Sequence, residues 1–151
     1  FDVHPLAEGR PLILGGINVP FDRGLVGHSD GDVLCHAVID AIIGGAGLGD
    51  IGTYFPSSDR KWEGVDSTIL VRKTLTILEK ARWRVTFVDA TIIAEEPHIK
   101  PFVDSIETNL ATILGMDQGD INIKSKATDG LGIFGRGEGI GAIAIATLIL
   151  I

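Results

Sequence analysis

The sequence has little cysteine, few aromatic side chains, no excess of positive charge and no long apolar run, and each shortage excludes a class of protein. Its one cysteine, Cys35, cannot form a disulfide within the chain, which fits a reducing compartment. Lys and Arg number 13 against 20 Asp and Glu, and the net charge of −7 argues against a surface for nucleic acid or an anionic membrane. No stretch reaches the roughly eighteen apolar residues of a transmembrane helix.

The composition predicts one folded domain with an aliphatic core. Hydrophobic residues make up 45% of the 151 residues and aromatic residues only 6%, which excludes a disordered chain and predicts a single domain over residues 1–151. An acidic protein needs metal ions or backbone amides to bind an anionic ligand. Since the sequence has no basic, serine-rich leader, we expect a cytoplasmic location, or a plastid-type stroma if a leader was removed before Phe1.

Residues 28–40 run from a polar loop into a helix. Ser29 and Asp30 are favoured helix N-caps, and Asp32 would place an acid in the first turn. The apolar spacing that follows predicts an amphipathic helix over about residues 31–43.

Five titratable positions on this helix and on the first strand are candidates for chemistry. Steps of four residues place Asp32, His36 and Asp40 along one side of the helix, at the border of its apolar face. Such side chains could bind a metal or transfer a proton. Alternatively, the aspartates and the histidine at this edge of the helix could pair only with each other. Asp2 and His4 share one face of the first strand, where they could ligate one ion or lie solvated at a strand end.

The two histidines of this stretch cannot both serve one metal ion. His28 and His36 are separated by about 12 Å of helical rise, so at most one of them holds a given ion. If that one is His36, then Asp2 and His4 could supply the other ligands, and the fourth position would stay open as in catalytic zinc sites. An aspartate of the same helix side would then orient His36, and His28 would be free to meet a substrate. Cys35 points away from His36 and is expected not to be a ligand.

The remainder of the chain mixes strands and helices without strict alternation. The pattern predicts short strands at 11–14 and 17–20 joined by a glycine turn, helices over about 67–81 and 102–114, and strands over 84–94, 120–126 and 140–151. This order predicts an α+β fold. The last strand is apolar on both faces, which indicates a partner surface supplied by an oligomer.

Two glycine-rich stretches match a nucleotide-binding spacing without its context. Gly47–Gly52 and Gly130–Gly135 fit G-x-G-x-x-G, but neither lies at a turn from a strand into a helix, so a dinucleotide fold is rejected. No P-loop motif of an NTPase occurs. The glycines could bring backbone amides close to a phosphate or a partner chain, or they could form plain connectors.

Five separated blocks occur in an order that is more specific than any one of them. They are Phe1-Asp2-Val3-His4, Gly27 to Asp32 with His36, Gly49 to Gly52 with Phe55-Pro56, Asp89 to Ala94 with Pro97, and Gly135 to Gly139. With these blocks the whole chain resembles the 2-C-methyl-D-erythritol 2,4-cyclodiphosphate synthase family of the non-mevalonate isoprenoid pathway.

The resemblance implies a fold, an assembly and a reaction. Helices would pack on one face of a mixed β-sheet, and the sheets of a homotrimer would face a three-fold axis, with active sites between neighbouring subunits. Zn²⁺ or another divalent transition metal would bind Asp2, His4 and His36, and Mg²⁺ or Mn²⁺ would bind Asp129 together with the substrate diphosphate. The reaction would be a phosphorus-oxygen lyase step, the cyclisation of 4-diphosphocytidyl-2-C-methyl-D-erythritol 2-phosphate to 2-C-methyl-D-erythritol 2,4-cyclodiphosphate with release of CMP.

The resemblance also implies which residues meet the substrate. His28 and Ser29 would contact its phosphates, and residues 94–100 of a neighbouring chain would form the cytosine pocket. Arg136 and Glu138 would close the mouth of an axial cavity that could hold an isoprenoid diphosphate, the alternative being a surface ion pair worth little. The implied substrate contacts are Asp2, Val3, His4, His28, Ser29, Asp50, Ile51, Gly52, Phe55, Pro56, Ser57, Ser58, Asp59, Ala94, Glu95, Glu96, Pro97, His98, Ile99, Lys100, Lys126, Ala127, Thr128, Asp129, Ile133 and Arg136.

Ala127 departs from the family pattern at one of the two implied catalytic positions, the other being His28. The family has a threonine there, whose hydroxyl helps to stabilise the transferred phosphoryl group, and one oriented donor contributes roughly 10²-fold. Either Lys126 or Thr128 compensates for Ala127, or turnover is slow. Two other functions therefore stay open: a weakly active trimer that binds isoprenoid diphosphates as a regulatory module, and a generic zinc phosphohydrolase.

Overall fold

The strands and helices of the computed structural model, which describes residues 1–151, follow the mixed order expected from the sequence. The strands are β1 (Asp2–Glu8), β2 (Leu12–Leu14), β3 (Ile17–Val19), β4 (Arg23–Leu25), β5 (Trp83–Ile93), β6 (Ile121–Lys126) and β7 (Gly139–Leu150). The helices are α1 (Val33–Gly45), α2 (Ile51–Tyr54), α3 (Ser67–Lys80), α4 (Val103–Leu114) and α5 (Gly132–Gly135). Single 3-10 turns lie at Arg60–Trp62, Lys100–Phe102 and Gln118–Asp120.

Five strands form one mixed sheet, and helices cover one of its faces. The strand order is β4-β1-β7-β5-β6, in which only β5 and β6 run parallel, and β2 with β3 forms a separate hairpin. The even-numbered residues 142–148 of β7 pack toward the hydrophobic core under α1. The predicted α+β class with a mixed sheet is confirmed. None of the helices has both the length and the apolar character needed to cross a lipid bilayer.

The opposite face of the sheet is uncovered within the subunit and apolar at its centre. Register places Val3, Phe87, Ile143, Ile145 and Ile149 on this face, and each remains at least 37% exposed. The strand β7 is therefore apolar on both sides, as its sequence predicts. Exposed aliphatic and aromatic side chains grouped in this way are typical of an interaction site, and the Asp89–Lys124 ion pair lies beside Ile145 on the same face.

The helix α1 lies at the centre of the molecule and is less amphipathic than predicted. Nine of its 13 residues are buried, because the sheet, α3 and the β2–β3 hairpin surround it. Its N-cap is Asp32, so the expectation that Ser29 or Asp30 would cap it is wrong. Asp30 instead accepts the backbone N–H of Ser67 at the start of α3.

The buried Asp32 carboxylate connects the hairpin to α1. It accepts backbone N–H groups of Gly15 and Gly16, at 3.0 and 2.7 Å, and of Leu34 and Cys35, at 3.1 and 3.0 Å. Both turn glycines have positive φ, 58° and 75°, as a tight hairpin turn requires. Burial raises the pKa of the Asp32 carboxyl, and the amides that donate to it offset this rise only in part.

We expect Asp32→Asn to lower the free energy of unfolding by about 2–3 kcal/mol, because either orientation of the amide would point an N–H group at a buried backbone donor. A matched control is Asp66→Asn, at the exposed N-cap of α3, where Asn caps as well as Asp. Urea unfolding followed by circular dichroism measures both. Equal midpoints for the two variants would contradict the role given to Asp32.

The short elements differ from the sequence expectations. The glycine-rich connector after α1 contains α2, which Asp50 caps by accepting the Thr53 amide, and the loop over 127–139 contains α5. The strand β4 is absent from the predicted elements. It has three residues, and its central Gly24 lies so close to the Pro11 carbonyl that a side chain has no room there. Such short segments carry too few side chains for a readable period.

Candidate metal-binding active site

Three side chains from two elements converge at one end of the sheet. His4 Nε2 lies 2.9 Å from Asp2 Oδ2, His36 Nδ1 lies 3.0 Å from the same oxygen, and the two ring nitrogens are 3.0 Å apart. The pleat of β1 brings Asp2 and His4 to one face, and α1 presents His36 from the first turn after its N-cap. His28 is not part of this cluster, in agreement with the expectation that His28 and His36 do not hold the same ion.

The chemistry of these three groups fits a divalent transition metal. Two imidazole nitrogens and one carboxylate oxygen form the donor set of catalytic zinc sites that leave a position open. The nearby Cys35 is fully buried in the core, and burial raises the pKa of its thiol far above the ordinary value.

The electrostatics favour an anionic carboxylate between the rings. Burial raises the pKa of the Asp2 carboxyl, but hydrogen bonds with His36 and His4 outweigh burial, and the pKa lies well below its ordinary value. Burial lowers the pKa of His4, yet the hydrogen bond with Asp2 outweighs it and the net pKa is raised. The Asp2 carboxylate thus carries a negative charge, and a bound cation would replace the proton that this carboxylate favours on His4.

The second nitrogen of His36 is bound by hydroxyl groups, and not by an aspartate of its own helix. His36 Nε2 lies 2.9 Å from Ser29 Oγ and 3.1 Å from Ser67 Oγ. The prediction that an aspartate on the same side of α1 orients His36 is therefore wrong. Asp32 turns back to cap the helix, and Asp40 accepts the Ile51 amide at 2.7 Å.

A cavity of about 300 Å³ opens above the cluster. His28 lines it and donates from Nε2 to the backbone carbonyl of Asp59 at 3.1 Å, since a carbonyl can only accept, and this leaves Nδ1 for another partner. The rings of Phe55 and Trp62 meet edge to face with centroids 5.1 Å apart. The lining residues are Asp2, His4, His28, Ser29, His36, Ile51, Gly52, Phe55, Ser57, Trp62 and Leu70.

Sequence reasoning names eight of these lining residues as substrate contacts and His36 as a ligand, and it misses Trp62 and Leu70. Both follow the glycine-rich block by several residues, and only the aromatic character of Trp62 hints at a site. Trp62 Nε1 is buried without a hydrogen-bond partner in the subunit. Four implied contacts near the cavity, Asp50, Pro56, Ser58 and Asp59, do not line it, and Val3 faces the opposite side of the sheet.

The remaining implied contacts lie elsewhere on the same subunit. Across the sheet, Asp2 of β1 pairs with Ala142 of β7, Ala142 pairs with Ile92 of β5, and Ile92 pairs with Ser125 of β6. Three strand spacings, about 14 Å, therefore separate the cluster from the end of β6. Residues 94–100 and 126–129 follow β5 and β6 at that end, where the Ala94 amide donates to the Lys126 carbonyl. Neither segment lines the cavity of its own subunit.

The loop after β6 is fixed by Glu95 and by its own turn. Glu95 Oε2 accepts the Thr128 amide at 3.1 Å, and the Thr128 hydroxyl donates to the Leu131 carbonyl at 2.7 Å. Asp129 has a φ of 53° and joins no group of three ligating side chains within the subunit. The Arg136 guanidinium donates to Glu138 Oε1 at 2.6 Å, and both side chains are more than half exposed.

Comparisons with known proteins agree with this fold. A model of the YgbB family matches residues 1–149. The chain is 47% identical to the 2-C-methyl-D-erythritol 2,4-cyclodiphosphate synthase of Laribacter hongkongensis over 148 residues, 98% of this chain and 91% of that protein. It is 49% identical, with the same coverage, to the protein of that name from Nitrosomonas europaea.

Solved structures are similar along the whole chain. The bifunctional IspDF from Campylobacter jejuni superposes with a TM-score of 0.95 at 37% identity, covering 99% of this chain and 41% of that longer one. A 2C-methyl-D-erythritol-2,4-cyclodiphosphate synthase in its CDP-bound form superposes with a TM-score of 0.89 at 31% identity, covering 98% and 96% of the two chains.

Proposed function

The chain belongs to the YgbB family together with the 2-C-methyl-D-erythritol 2,4-cyclodiphosphate synthases that it matches, and from this premise we propose that it catalyses their named reaction. As a single domain over residues 1–151, it would convert 4-diphosphocytidyl-2-C-methyl-D-erythritol 2-phosphate to 2-C-methyl-D-erythritol 2,4-cyclodiphosphate and CMP. The observation that carries the proposal is the triangle of Asp2, His4 and His36 at the floor of a cavity that His28 and Ser29 also line.

The proposed step is an intramolecular phosphoryl transfer. An oxygen of the 2-phosphate attacks the β-phosphorus, the bond from that phosphorus to the bridging oxygen breaks, and CMP leaves with the bridging oxygen. The protein needs no nucleophile, because both reacting groups belong to one substrate. Its task is to hold two anions in line for attack.

The cavity residues have matching tasks. A zinc ion held by Asp2, His4 and His36 would supply the positive charge that draws both phosphates together. His28 would donate from Nδ1 to a phosphate oxygen in its imidazolium form, while Ser29 lines the wall beside the phosphates and holds His36. Apolar walls beside them keep water from competing for the phosphorus.

The substrate's other half requires residues from a second subunit. The segments 94–100 and 126–129 follow strands that are two and three positions away from β1 in the sheet, and they do not line the cavity of their own subunit, which supports an active site between neighbours. We assign the cytosine pocket to residues 94–100 and a Mg²⁺ or Mn²⁺ site to Asp129 on this basis. The uncovered apolar face of the sheet supports a homotrimer as the assembly.

The other functions left open by the sequence are weaker. The comparisons do not favour a regulatory trimer, since the matched relatives carry the synthase name. A site for an isoprenoid diphosphate at Arg136 and Glu138 would depend on the same trimer, and in one subunit these two side chains form an exposed ion pair.

The test is to follow products by ³¹P NMR after adding the cytidyl substrate to the protein loaded with Zn²⁺ and Mg²⁺. We expect equal amounts of CMP and the cyclic diphosphate. A protein that binds zinc but releases no CMP would contradict the proposal. A zinc phosphohydrolase would release CMP with a linear bisphosphate, because water would then attack the β-phosphorus.

Ala127→Thr is expected to raise turnover by about ten- to a hundredfold, because it would restore a hydroxyl donor beside the transferred phosphoryl group. The neighbouring Thr128 does not replace this donor, since its hydroxyl is held by the Leu131 carbonyl. Ala127→Val has the same shape without the hydroxyl and serves as the control. Steady-state CMP release measures both variants. An equal rate in the two would show that position 127 has no catalytic role.

A further inference from the structure

We infer that Ser67, held by Asp30, is a positioning residue that presents His36 to the metal. The inference rests on the zinc site of the proposed function but not on the reaction. Ser67 is absent from the residues singled out by sequence pattern, and it lies on α3, an element that supplies none of the three metal ligands.

A continuous chain of hydrogen bonds joins the metal ligand His36 to Ser67, Ser29 and Asp30. Ser67 Oγ lies 3.1 Å from His36 Nε2, 3.0 Å from Ser29 Oγ and 2.5 Å from Asp30 Oδ1. Ser29 Oγ is 2.9 Å from the same ring nitrogen. The Asp30 carboxylate is fixed in turn, because it accepts the backbone N–H groups of Ser67 and Asp32 at 3.0 and 3.1 Å.

The carboxylate sets the direction of every bond in this chain. A carboxylate only accepts, so the Ser67 hydroxyl donates its one proton to Asp30. Ser67 Oγ then has lone pairs left, and the Ser29 hydroxyl can donate to it. Both hydroxyl oxygens are thereby turned into acceptors for His36 Nε2–H. When a metal replaces the hydrogen bond between Nδ1 and Asp2, the proton stays on Nε2 and the Nδ1 lone pair can face the ion between Asp2 and His4.

Burial distinguishes Ser67 from a residue that contacts substrate. Ser67 is completely buried and does not line the cavity, whereas Ser29 does. Ser67 can therefore affect the reaction only through its neighbours. Without the Ser67 hydroxyl, the Ser29 hydroxyl loses its acceptor and can turn to donate to His36 Nε2, which favours a proton on Nδ1 and opposes metal binding.

The experiment compares Ser67→Ala with the wild-type protein. We expect the zinc dissociation constant, measured by competition with a chromophoric chelator, to rise about ten- to a hundredfold. In the zinc-loaded protein, the ¹H resonance of His36 Nε2–H should move upfield and exchange faster with water. Asp30→Asn should shift both readouts in the same direction, and it tests the inference independently if Ser67→Ala does not fold.

Thr68→Ala is the matched control for the start of α3. The Thr68 hydroxyl also donates to a carboxylate, that of Asp66, at 2.7 Å, but it does not contact His36. Its loss should leave zinc affinity and the His36 resonance unchanged.

The inference is overturned if Ser67→Ala binds zinc within twofold of the wild type, or if affinity falls while the His36 resonance stays in place, which would indicate only a structural role. Failure of the proposed function is a separate result: the wild-type protein would then bind zinc but release no CMP from the cytidyl substrate. The zinc and NMR comparisons do not depend on turnover.

Discussion

Replacing His36 with alanine should remove zinc from the protein and lower CMP release by at least about a thousandfold. His36 supplies one of three ligand atoms that lie 2.9–3.0 Å apart, and the two that would remain, on Asp2 and His4, are neighbours on one strand. A pair of ligands on one strand cannot surround an ion. The substrate phosphates would then repel each other without a cation between them.

His28→Ala is the control that separates metal binding from substrate contact. His28 lines the same cavity but lies outside the ligand cluster, so we expect full zinc occupancy together with a turnover loss of about ten- to a hundredfold. Zinc content by atomic absorption and CMP release by chromatography measure the two effects. Equal loss of zinc in both variants would refute the division of roles between the histidines.

The long elements were predictable because each presents many side chains at one period. The helices α3 and α4 and the strands β5 and β7 lie within one or two residues of the predicted bounds. The cap of α1 was not predictable. Ser29, Asp30 and Asp32 are all good caps by type, and the choice among them depends on where the β2–β3 hairpin places two free amides.

The ligand cluster was predictable for a different reason. The alternation of β1 and the single histidine of α1 offered few candidates, and the resemblance to a family selected among them. Ser67 and Trp62 were missed because their contacts with the site cross long stretches of chain, 31 residues between Ser67 and His36, and such contacts leave no period in the sequence. The separation between the cluster and residues 94–100 likewise follows from strand order, which the pattern does not reveal.

Ile145→Asp should convert the proposed trimer to monomers that bind zinc and lack turnover. Ile145 is the most exposed aliphatic residue at the centre of the uncovered sheet face, 65% exposed, with Ile143 beside it. A carboxylate there could not be buried against another subunit without a large desolvation cost. The fold itself should persist, because the opposite side of β7 makes the contacts with α1.

The variant tests the shared active site as well as the assembly. Each monomer keeps its own Asp2, His4 and His36, so zinc should still bind with a stoichiometry of one per chain. Turnover should fall at least about a hundredfold, because residues 94–100 and 126–129 do not line the cavity of their own subunit. Ile69→Asp, at a position on α3 that is 43% exposed, should stay trimeric and active. Light scattering and CMP release measure both variants, and an Ile145→Asp monomer with full turnover would mean that one subunit holds a complete site.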